Sequence, residues 1–324
     1  MKKIQSGCAL VAALMLALWS AGAACAQNYP SRPIKIFVGL PAGGGADIIA
    51  RYFAEQLSKQ VGQPVVTENK PGAGGNLATQ AVATAEPDGY TLLFSTSNAL
   101  SGNFYLYKNL PFTLADFAPI TTLGQGAFAL AVSGKSPVKS VGELTGYLKD
   151  KGGKAAYGSP TSISLACAEV YMAQVGVTAR LVRYKASAQA LNELRAGEID
   201  FFFIDSTAAI GPAKRGDIRV LAVTTKSRNV ALPEVPTMQE AGIADFDMSS
   251  WFGMFAPAKT PNDIRVKLEE WFNAIVRRPQ TADYLTSIGI EALPGAPALL
   301  MGLVRRQTET YRKLSEAGKL DAAE

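Results

Sequence analysis

Apolar and polar positions along this chain follow two patterns, one typical of buried strands and one of amphipathic helices. The apolar run at residues 34–38 predicts a strand, and apolar residues three and four positions apart over residues 48–57 predict a helix. Further strands are predicted at residues 65–68 and 90–94, with a helix beginning near Asn76 between them. This alternation predicts an α/β unit.

The same alternation repeats in the middle of the chain. We predict strands there at residues 128–132, 155–158, 180–185, 199–204 and 219–224. Two such blocks indicate an α/β protein of two doubly wound lobes. No low-complexity segment or short-period repeat interrupts them.

A third block returns to the first lobe. It contains a predicted strand at residues 251–256, a helix from residue 262 and a final helix from about Ala298. We expect the final helix to pack on the first lobe, which makes that lobe discontinuous. The predicted division is residues 27–125 with 248–324 for lobe 1, and residues 126–247 for lobe 2.

The first 26 residues have the pattern of an export signal. Lys2 and Lys3 precede the apolar run 9–18, and Ala24-Cys25-Ala26 has the small residues of a cleavage site, so we expect cleavage near Ala26. Cleavage of a lipoprotein before Cys25 is the alternative, but Gly22 stands where such sites usually carry Leu or Val. No later segment is long and apolar enough to span a bilayer. The sequence therefore predicts an exported, soluble protein.

Composition narrows the possible functions. The 324 residues carry a formal charge of +5, which becomes +3 without the two signal lysines, and no basic run interleaved with aromatic residues suggests nucleic acid binding. The sequence contains no histidine, which excludes Ser-His-Asp and Cys-His sites and imidazole-dependent metal sites. Cys167, the one cysteine after the signal, is expected in the core. We therefore predict no catalytic residue, no metal and no cofactor.

A glycine-rich turn between the first strand and the first helix is the leading candidate for ligand contact. Such a turn leaves backbone N–H groups free at a helix N-terminus, where an anion is favoured. We expect Ala42, Gly43 and Gly44 to contact the ligand. Asp47 is a further candidate, although its carboxylate could instead cap the helix or order water. The glycines at residues 72–75 either line the cleft or allow close packing.

Polar side chains at the ends of other strands complete the candidate site, because ligands bind outside the carboxyl ends of strands in open α/β sheets. Side chains alternate along a strand, so we expect Ser95 and Ser97 to face the cleft and Thr96 to point inward. The second-lobe candidates are Ser159, Thr161, Ser162, Ser164, Lys185, Ser187 and Asp205. A solvated lysine at residue 185 and a helix-capping role for Asp205 are the structural alternatives.

Several longer motifs resemble those of a known receptor family. They cover nearly the whole chain after the signal, in order and with consistent spacing: Tyr29-Pro30-Ser31-Arg32-Pro33-Ile34, Ala42-Gly43-Gly44-Gly45-Ala46-Asp47, Glu68-Asn69-Lys70-Pro71-Gly72-Ala73-Gly74-Gly75, Pro87-Asp88-Gly89-Tyr90-Thr91-Leu92-Leu93, Leu232-Pro233-Glu234-Val235-Pro236-Thr237 and Ala256-Pro257-Ala258-Lys259-Thr260-Pro261. The chain thus resembles the periplasmic solute receptors of tripartite tricarboxylate transporters, or Bug-type receptors.

The resemblance implies a type II periplasmic-binding-protein fold of the Venus flytrap kind. It implies a carboxylate ligand between the lobes, held by main-chain N–H groups, hydroxyls and water, and delivery to integral membrane permease subunits. A periplasmic location is the corresponding expectation. A monomer is expected only as the default, since the sequence does not indicate an oligomeric state. The second-lobe turn departs from the family: Pro160 removes an N–H donor, Ile163 adds bulk and a histidine near the helix start is missing. We therefore expect the end of the ligand that contacts the second lobe to differ from the corresponding end of the ligands bound by relatives.

Two other classes of function remain open from the sequence. An exported enzyme would need the glycine turn to hold a phosphate or dinucleotide, yet neither Gly-x-Gly-x-x-Gly nor a Gly-Lys-Ser/Thr motif follows the first strand. The second class is a ligand-sensing receptor that docks on a signalling partner instead of a permease. The sequence cannot distinguish such a receptor from a transport receptor.

Overall fold

The computed structural model describes residues 29–320, so the predicted signal and its cleavage site lie outside the described residues. The strands are β1 (Ile34–Val38), β2 (Val65–Asn69), β3 (Thr91–Thr96), β4 (Phe117–Ser133), β5 (Ala156–Ser159), β6 (Arg180–Arg183), β7 (Phe201–Asp205), β8 (Ile218–Val223), β9 (Ser249–Pro257) and β10 (Ile290–Gly295). No helix among these residues is long and apolar enough to cross a membrane.

The helices alternate with the strands. They are α1 (Gly45–Val61), α2 (Asn76–Ala83), α3 (Asn103–Leu106), α4 (Val141–Lys151), α5 (Ser162–Val175), α6 (Ser187–Ala196), α7 (Ser206–Lys214), α8 (Asn262–Val276), α9 (Pro279–Ser287) and α10 (Pro297–Glu316). Short 3₁₀ turns lie at Ala73–Gly75, Leu114–Asp116 and Gly152–Lys154, and a π-helical turn at Asn98–Gly102 leads into α3.

Strand β4 connects two sheets. Its residues 117–127 pair with β9 in the first sheet, which has the order β2-β1-β3-β9-β4, with β10 also paired to β4. From Phe128 onward β4 pairs with β7 and β8 in the second sheet, which has the order β4-β7-β5-β6. The pairs β1–β2, β1–β3, β5–β6 and β5–β7 are parallel, as expected for strands linked by helices.

Helices cover both faces of each sheet. On the first sheet, Phe53 of α1 and Phe272 of α8 are fully buried on one face, and Leu300 of α10 is buried on the other. On the second sheet, Leu144 of α4 and Leu194 of α6 belong to the cores of opposite faces. The prediction of an α/β protein with two doubly wound lobes is therefore confirmed.

The C-terminal helix α10 reaches further than we expected. Its first half packs on the first sheet through Leu300 and Val304. Tyr311 and Leu314 in its second half, and Leu320 beyond it, join the core that covers the second sheet. The expectation that this tail packs on the first lobe therefore describes only half of the helix, because its 20 residues are long enough to span both sheets.

Candidate functional site

The buried side chain of Asp47 is hydrogen-bonded to the first glycine-rich turn. The Asp47 carboxylate is 2% exposed and accepts hydrogen bonds from the Gly43 N–H at 2.8 Å, from Arg51 Nε at 2.9 Å and from Asn69 Nδ2 at 2.9 Å. Burial alone would raise the pKa of Asp47, but these donated hydrogen bonds outweigh it and lower the pKa. Asp47 thus stabilises the turn, and its carboxylate already accepts hydrogen bonds from three groups of the protein.

The residues of the same turn face solvent. Ala42, Gly43 and Gly44 are exposed, and Gly43 has φ of 80°, a left-handed conformation that favours glycine. None of the three lines the cavity between the sheets, whose nearest contribution from this turn is Leu40. Their ligand contacts stay a prediction that requires movement of the turn or of the opposite sheet.

A second glycine turn lies closer to the cavity. Asn103 Nδ2 donates to the Gly74 carbonyl at 3.1 Å and to Asn76 Oδ1 at 2.6 Å, which ties this turn to α3. Gly74 has φ of 65°, and a Cβ at this position would lie only 2.9 Å from the Tyr107 hydroxyl. The backbone of this turn therefore approaches Tyr107 in a way that only glycine allows.

The expected alternation at the end of β3 is wrong in part. Thr96, which we expected to point inward, is half-buried, whereas Ser95 and Ser97 are 2% and 0% exposed. Ser97 already has φ of −58° and ψ of −12°, so the chain has left the strand before this residue and the alternation no longer applies. Ser95 Oγ donates to the Thr96 carbonyl, and Ser97 Oγ is buried with no hydrogen-bond partner among the described residues.

The start of α5 supplies the opposite wall of the cavity. Thr161 caps this helix, because its hydroxyl accepts a hydrogen bond from the Ser164 N–H at 3.3 Å. Ser162 Oγ donates to Asn98 Oδ1 at 2.7 Å, which joins the two sheets beside the cavity. Ser159 Oγ donates to the Thr161 carbonyl. These hydroxyls form the polar surface of the turn.

Ser164 is not available to a ligand in this arrangement. Its side chain is 0% exposed, and its hydroxyl donates to the Phe203 carbonyl at 2.7 Å, within the second-sheet core. Ser164 is inaccessible because α5 is buried on all sides here, residues 163–169 all being buried. The expectation of a ligand role for Ser164 overlooked this burial.

Together these elements enclose a cavity of about 670 Å³ between the two sheets. Four of the predicted site residues line it: Ser159, Thr161, Ser162 and Lys185. The rest of the lining is made of Leu40, Gly74, Asn98, Asn103, Leu106, Tyr107, Pro160, Arg183 and Tyr184. This lining contains two cations and no carboxylate.

Two predicted residues near the ends of second-sheet strands lie outside this lining. Ser187 is half-buried and is the first residue of α6. Asp205 caps α7, since its Oδ1 accepts hydrogen bonds from the Thr207 N–H at 2.9 Å and from Thr207 Oγ1 at 2.6 Å. Burial raises the pKa of Asp205 despite these donors. These contacts are those of a helix cap, which was the structural alternative to a ligand role for Asp205.

Several cavity residues were missed by sequence reasoning. Leu106 and Tyr107 follow a π-helical turn that has no apolar periodicity, so nothing in the pattern indicated their position. Arg183 precedes Tyr184 and Lys185 at the end of β6, and alternation predicts that Arg183 and Lys185 share one side. That signal was present in the sequence and could have identified Arg183.

Other reactive groups are few in the described part of the chain. No group of three or more cysteine or acidic side chains is arranged to hold a metal ion among residues 29–320. Cys167 is 0% exposed, and burial raises the pKa of its thiol well above the usual range. Its expected place in the core is confirmed.

Two α/β sheets that share a connecting strand and have a cavity between them are the architecture of a two-lobed solute-binding protein of the Venus flytrap type. The structure of R. palustris Rpa4515 with adipate covers 91% of this chain and all of its own, at 29% identity and a TM-score of 0.82. The periplasmic binding protein BugD covers 91% of this chain and all of its own, at 30% identity and a TM-score of 0.77.

Sequence comparison agrees with the fold. Residues 49–319 match the tripartite tricarboxylate transporter family receptor. A UPF0065 protein of Bordetella pertussis is 34% identical over 293 residues, which are 90% of each chain. The chain therefore belongs to the tripartite tricarboxylate transporter receptor family, and the resemblance noted from its motifs is confirmed.

Proposed function

We propose that this protein is an exported receptor that binds a small organic carboxylate between its two lobes and delivers it to a tripartite tricarboxylate-type permease. The observation that carries the proposal is the charge of the cavity lining, which includes Arg183 and Lys185 but no acidic side chain. Neither cation forms an ion pair with another described residue, so both are available to an anion. A cleft lined by one sign of charge also concentrates ligands of the opposite sign.

The comparisons support the ligand class and the location. The related Rpa4515 structure contains adipate, a dicarboxylate, and BugD is a periplasmic binding protein. Together with the predicted signal at residues 1–26, they support export to the periplasm. The family description supports a permease of the tripartite type as the partner.

The exchange of partners along β4 supports the division into lobes. Pairing with β9 ends at Ala127, and pairing with β7 begins at Phe128. We therefore keep the proposed boundaries, with residues 27–125 and 248–324 in lobe 1 and residues 126–247 in lobe 2. Residues Asn98 and Ser162 would then be a contact between lobes.

Binding fits the site better than catalysis does. Micromolar affinity needs about 8 kcal/mol. Four or five charge-assisted hydrogen bonds, at roughly 1.5–3 kcal/mol each, supply about 6–15 kcal/mol before ordering costs, a range that includes this value. The cavity lining offers no carboxylate or imidazole that could act as a general acid or base.

A thermal-shift screen with matched acids and amides tests the proposal. Each carboxylate, such as succinate or adipate, is compared with its neutral diamide on the mature chain freed of carried-over ligand. At a hundred times its dissociation constant, a bound acid adds about 2.7 kcal/mol and raises Tm by a few degrees. The amides should produce no shift, and equal shifts by amides and acids would contradict a carboxylate site.

A further inference from the structure

A second groove lies between the C-terminal helix α10 and the segment that leads into β9. It has a volume of about 330 Å³ and shares no lining residue with the cavity between the sheets. Its lining comes from the segment 245–251 and from one side of α10. Ser249 in this segment pairs with Ala127 of β4, directly before β4 changes sheets. The groove therefore lies where the chain passes between the two sheets.

A buried glutamine in this lining has a fixed orientation. Gln307 is 7% exposed, and its Oε1 accepts a hydrogen bond from Trp251 Nε1 at 2.8 Å. Because an indole N–H can only donate, it requires the oxygen of the amide and leaves the Nε2 group for another partner. Within residues 29–320, Gln307 Nε2 donates to no protein acceptor. The amide therefore offers a hydrogen-bond donor to a ligand, and a carboxylate is the strongest acceptor for it.

Unpaired charges of opposite sign line the same groove. Arg306 precedes Gln307 on α10, and Asp245 lies in the segment before β9. Both residues are exposed, and neither forms an ion pair with another of residues 29–320. The groove thus offers one cation and one anion that have no charged partner in the protein.

The other charged residues of the lining already have partners. Glu309 accepts two hydrogen bonds from Arg312, each at 2.7 Å. Asp247 pairs with Lys226 at 3.5 Å, and Lys313 pairs with Glu309 at 3.8 Å. The two unpaired charges are therefore the ones that a ligand can engage without displacing a protein group.

Apolar surface lies between the charged groups. Met248 and Trp251 are buried, Leu303 is half-buried, and all three line the groove. A volume of about 330 Å³ is at the lower end of the roughly 300–1,000 Å³ of small-molecule sites. The groove therefore suits a small ligand that has one apolar group besides its charges.

We propose that this groove is a second binding site for a small zwitterion with an apolar side chain, the class of the apolar α-amino acids. Its carboxylate contacts Arg306 and Gln307 Nε2, and its ammonium group contacts Asp245. The apolar side chain lies on Met248 and Leu303. A ligand with a single charge would leave Asp245 or Arg306 without a partner, whereas a zwitterion matches both. This site is additional to the proposed carboxylate cavity and does not depend on it.

The test is calorimetric titration of the mature chain with three probes that share one side chain. L-Leucine is compared with 4-methylpentanoate, which lacks the ammonium group, and with leucinamide, which lacks the carboxylate. We expect each singly charged analogue to bind about 3- to 10-fold more weakly than leucine, because it loses one contact to a charged group at a partly exposed site. Equal affinity of leucine and either analogue would overturn the zwitterion site.

Charge-neutral variants assign each end of the ligand. Asp245→Asn should weaken leucine about 3- to 10-fold and leave 4-methylpentanoate unchanged, and Arg306→Gln should weaken leucine equally and leave leucinamide unchanged. Asparagine tolerates the φ of 53° at residue 245 as aspartate does, so the segment keeps its conformation. Arg305→Gln is the matched control, an exposed neighbour on α10 that does not line the groove. The same loss in Arg305→Gln as in Arg306→Gln would overturn the assignment.

Competition separates this site from the cavity between the sheets. Leucine should bind equally to the free protein and to protein saturated with a carboxylate from the thermal-shift screen. Displacement of leucine by that carboxylate would put leucine in the cavity and overturn the second site, as would no binding of leucine at millimolar concentration. Failure of every carboxylate to bind contradicts the proposed function alone. If a variant loses its fold, as shown by circular dichroism, the three probes on the wild type still decide.

Discussion

Asp47 lies in the glycine-rich motif that we expected to contact a ligand, but its contacts in the structure are with the turn and its neighbours. Its side chain is buried and receives three hydrogen bonds, two of them from the Gly43 N–H and from Asn69. The third comes from Arg51, whose half-exposed side chain limits the worth of the ion pair. The carboxylate therefore keeps the glycine turn in shape.

Replacing this carboxylate should lower stability in a pH-dependent way. Asp47→Asn should cost about 1–3 kcal/mol at pH 7, the value of hydrogen bonds to a charged group. Because the folded pKa of Asp47 is lowered, its contribution is complete above the ordinary pKa of about 3.9 and is lost as pH falls through the folded pKa. Urea unfolding at pH 7 and in steps below pH 4 measures this.

The matched control is Asp263→Asn, which removes an exposed acid from the first turn of α8. It shares any helix-dipole effect but has none of the buried hydrogen bonds. If both variants lose the same stability at every pH, the structural role of Asp47 is contradicted.

Ser164 gives a second prediction at the residue scale. Ser164→Ala should destabilise the protein by about 1–2 kcal/mol, because the Phe203 carbonyl loses its buried partner. Its affinity for a carboxylate should be unchanged, since the hydroxyl does not reach the cavity. Thermal unfolding and calorimetry on the same sample measure both, and a large loss of affinity without loss of stability would return Ser164 to the ligand site.

At the scale of elements, regular patterns were predictable and irregular ones were not. The helix α1 was evident because Ile49, Phe53 and Leu57 recur on one buried face. The first half of β4 was missed because Pro119, Gly124 and Gly126 interrupt its pattern, and two register shifts break the alternation there. Strand β10 and helix α9 were missed as well, being short elements near the C-terminus.

The residues that line the cavity also divide into those that regular sequence patterns predicted and those that they did not. Four residues that line the cavity were expected at the cleft because they lie at or just after the ends of predicted strands, where the crevice of an α/β sheet is found: Ser159, Thr161, Ser162 and Lys185. Tyr107 and Leu106 were not found because tertiary packing alone brings their turn to the cavity. The sequence could therefore indicate the second-sheet wall better than the first-sheet wall.

The C-terminal helix carries a prediction at this scale. Leu300→Ala and Leu314→Ala should each cost about 2–4 kcal/mol, since both leucines are buried in a core cluster. Because they lie against different sheets, hydrogen exchange should increase near β9 in the first variant and near α5 in the second. Exposed Leu299 on the same helix serves as control, and its alanine variant should be nearly neutral. Identical exchange changes in the two buried variants would contradict a helix that ties separate cores.

At the scale of the whole molecule, polar contacts join the two sheets at two places. Ser162 donates to Asn98 beside the cavity, and Asn229 Nδ2 donates to the Gly289 carbonyl at 3.2 Å elsewhere. The Ser162–Asn98 contact is only partly buried, so water can replace it when the sheets move apart. These contacts are consistent with hinge closure of two lobes around a ligand.

Closure should be visible in solution. A compact chain of this size has a radius of gyration of about 19 Å. Small-angle scattering of the ligand-free protein should give a larger value than scattering of the same sample saturated with a confirmed ligand. Identical profiles with and without that ligand would contradict the closure.

The most direct measurement is calorimetric titration of a confirmed carboxylate into the wild type, Lys185→Glu and Lys154→Glu. Both lysines are exposed and without an ion pair among residues 29–320, but only Lys185 lines the cavity. We predict that Lys154→Glu binds as the wild type does and that Lys185→Glu binds at least about 10-fold more weakly, because a carboxylate then faces a like charge. Equal affinity in all three proteins would show that the acid does not bind between the sheets.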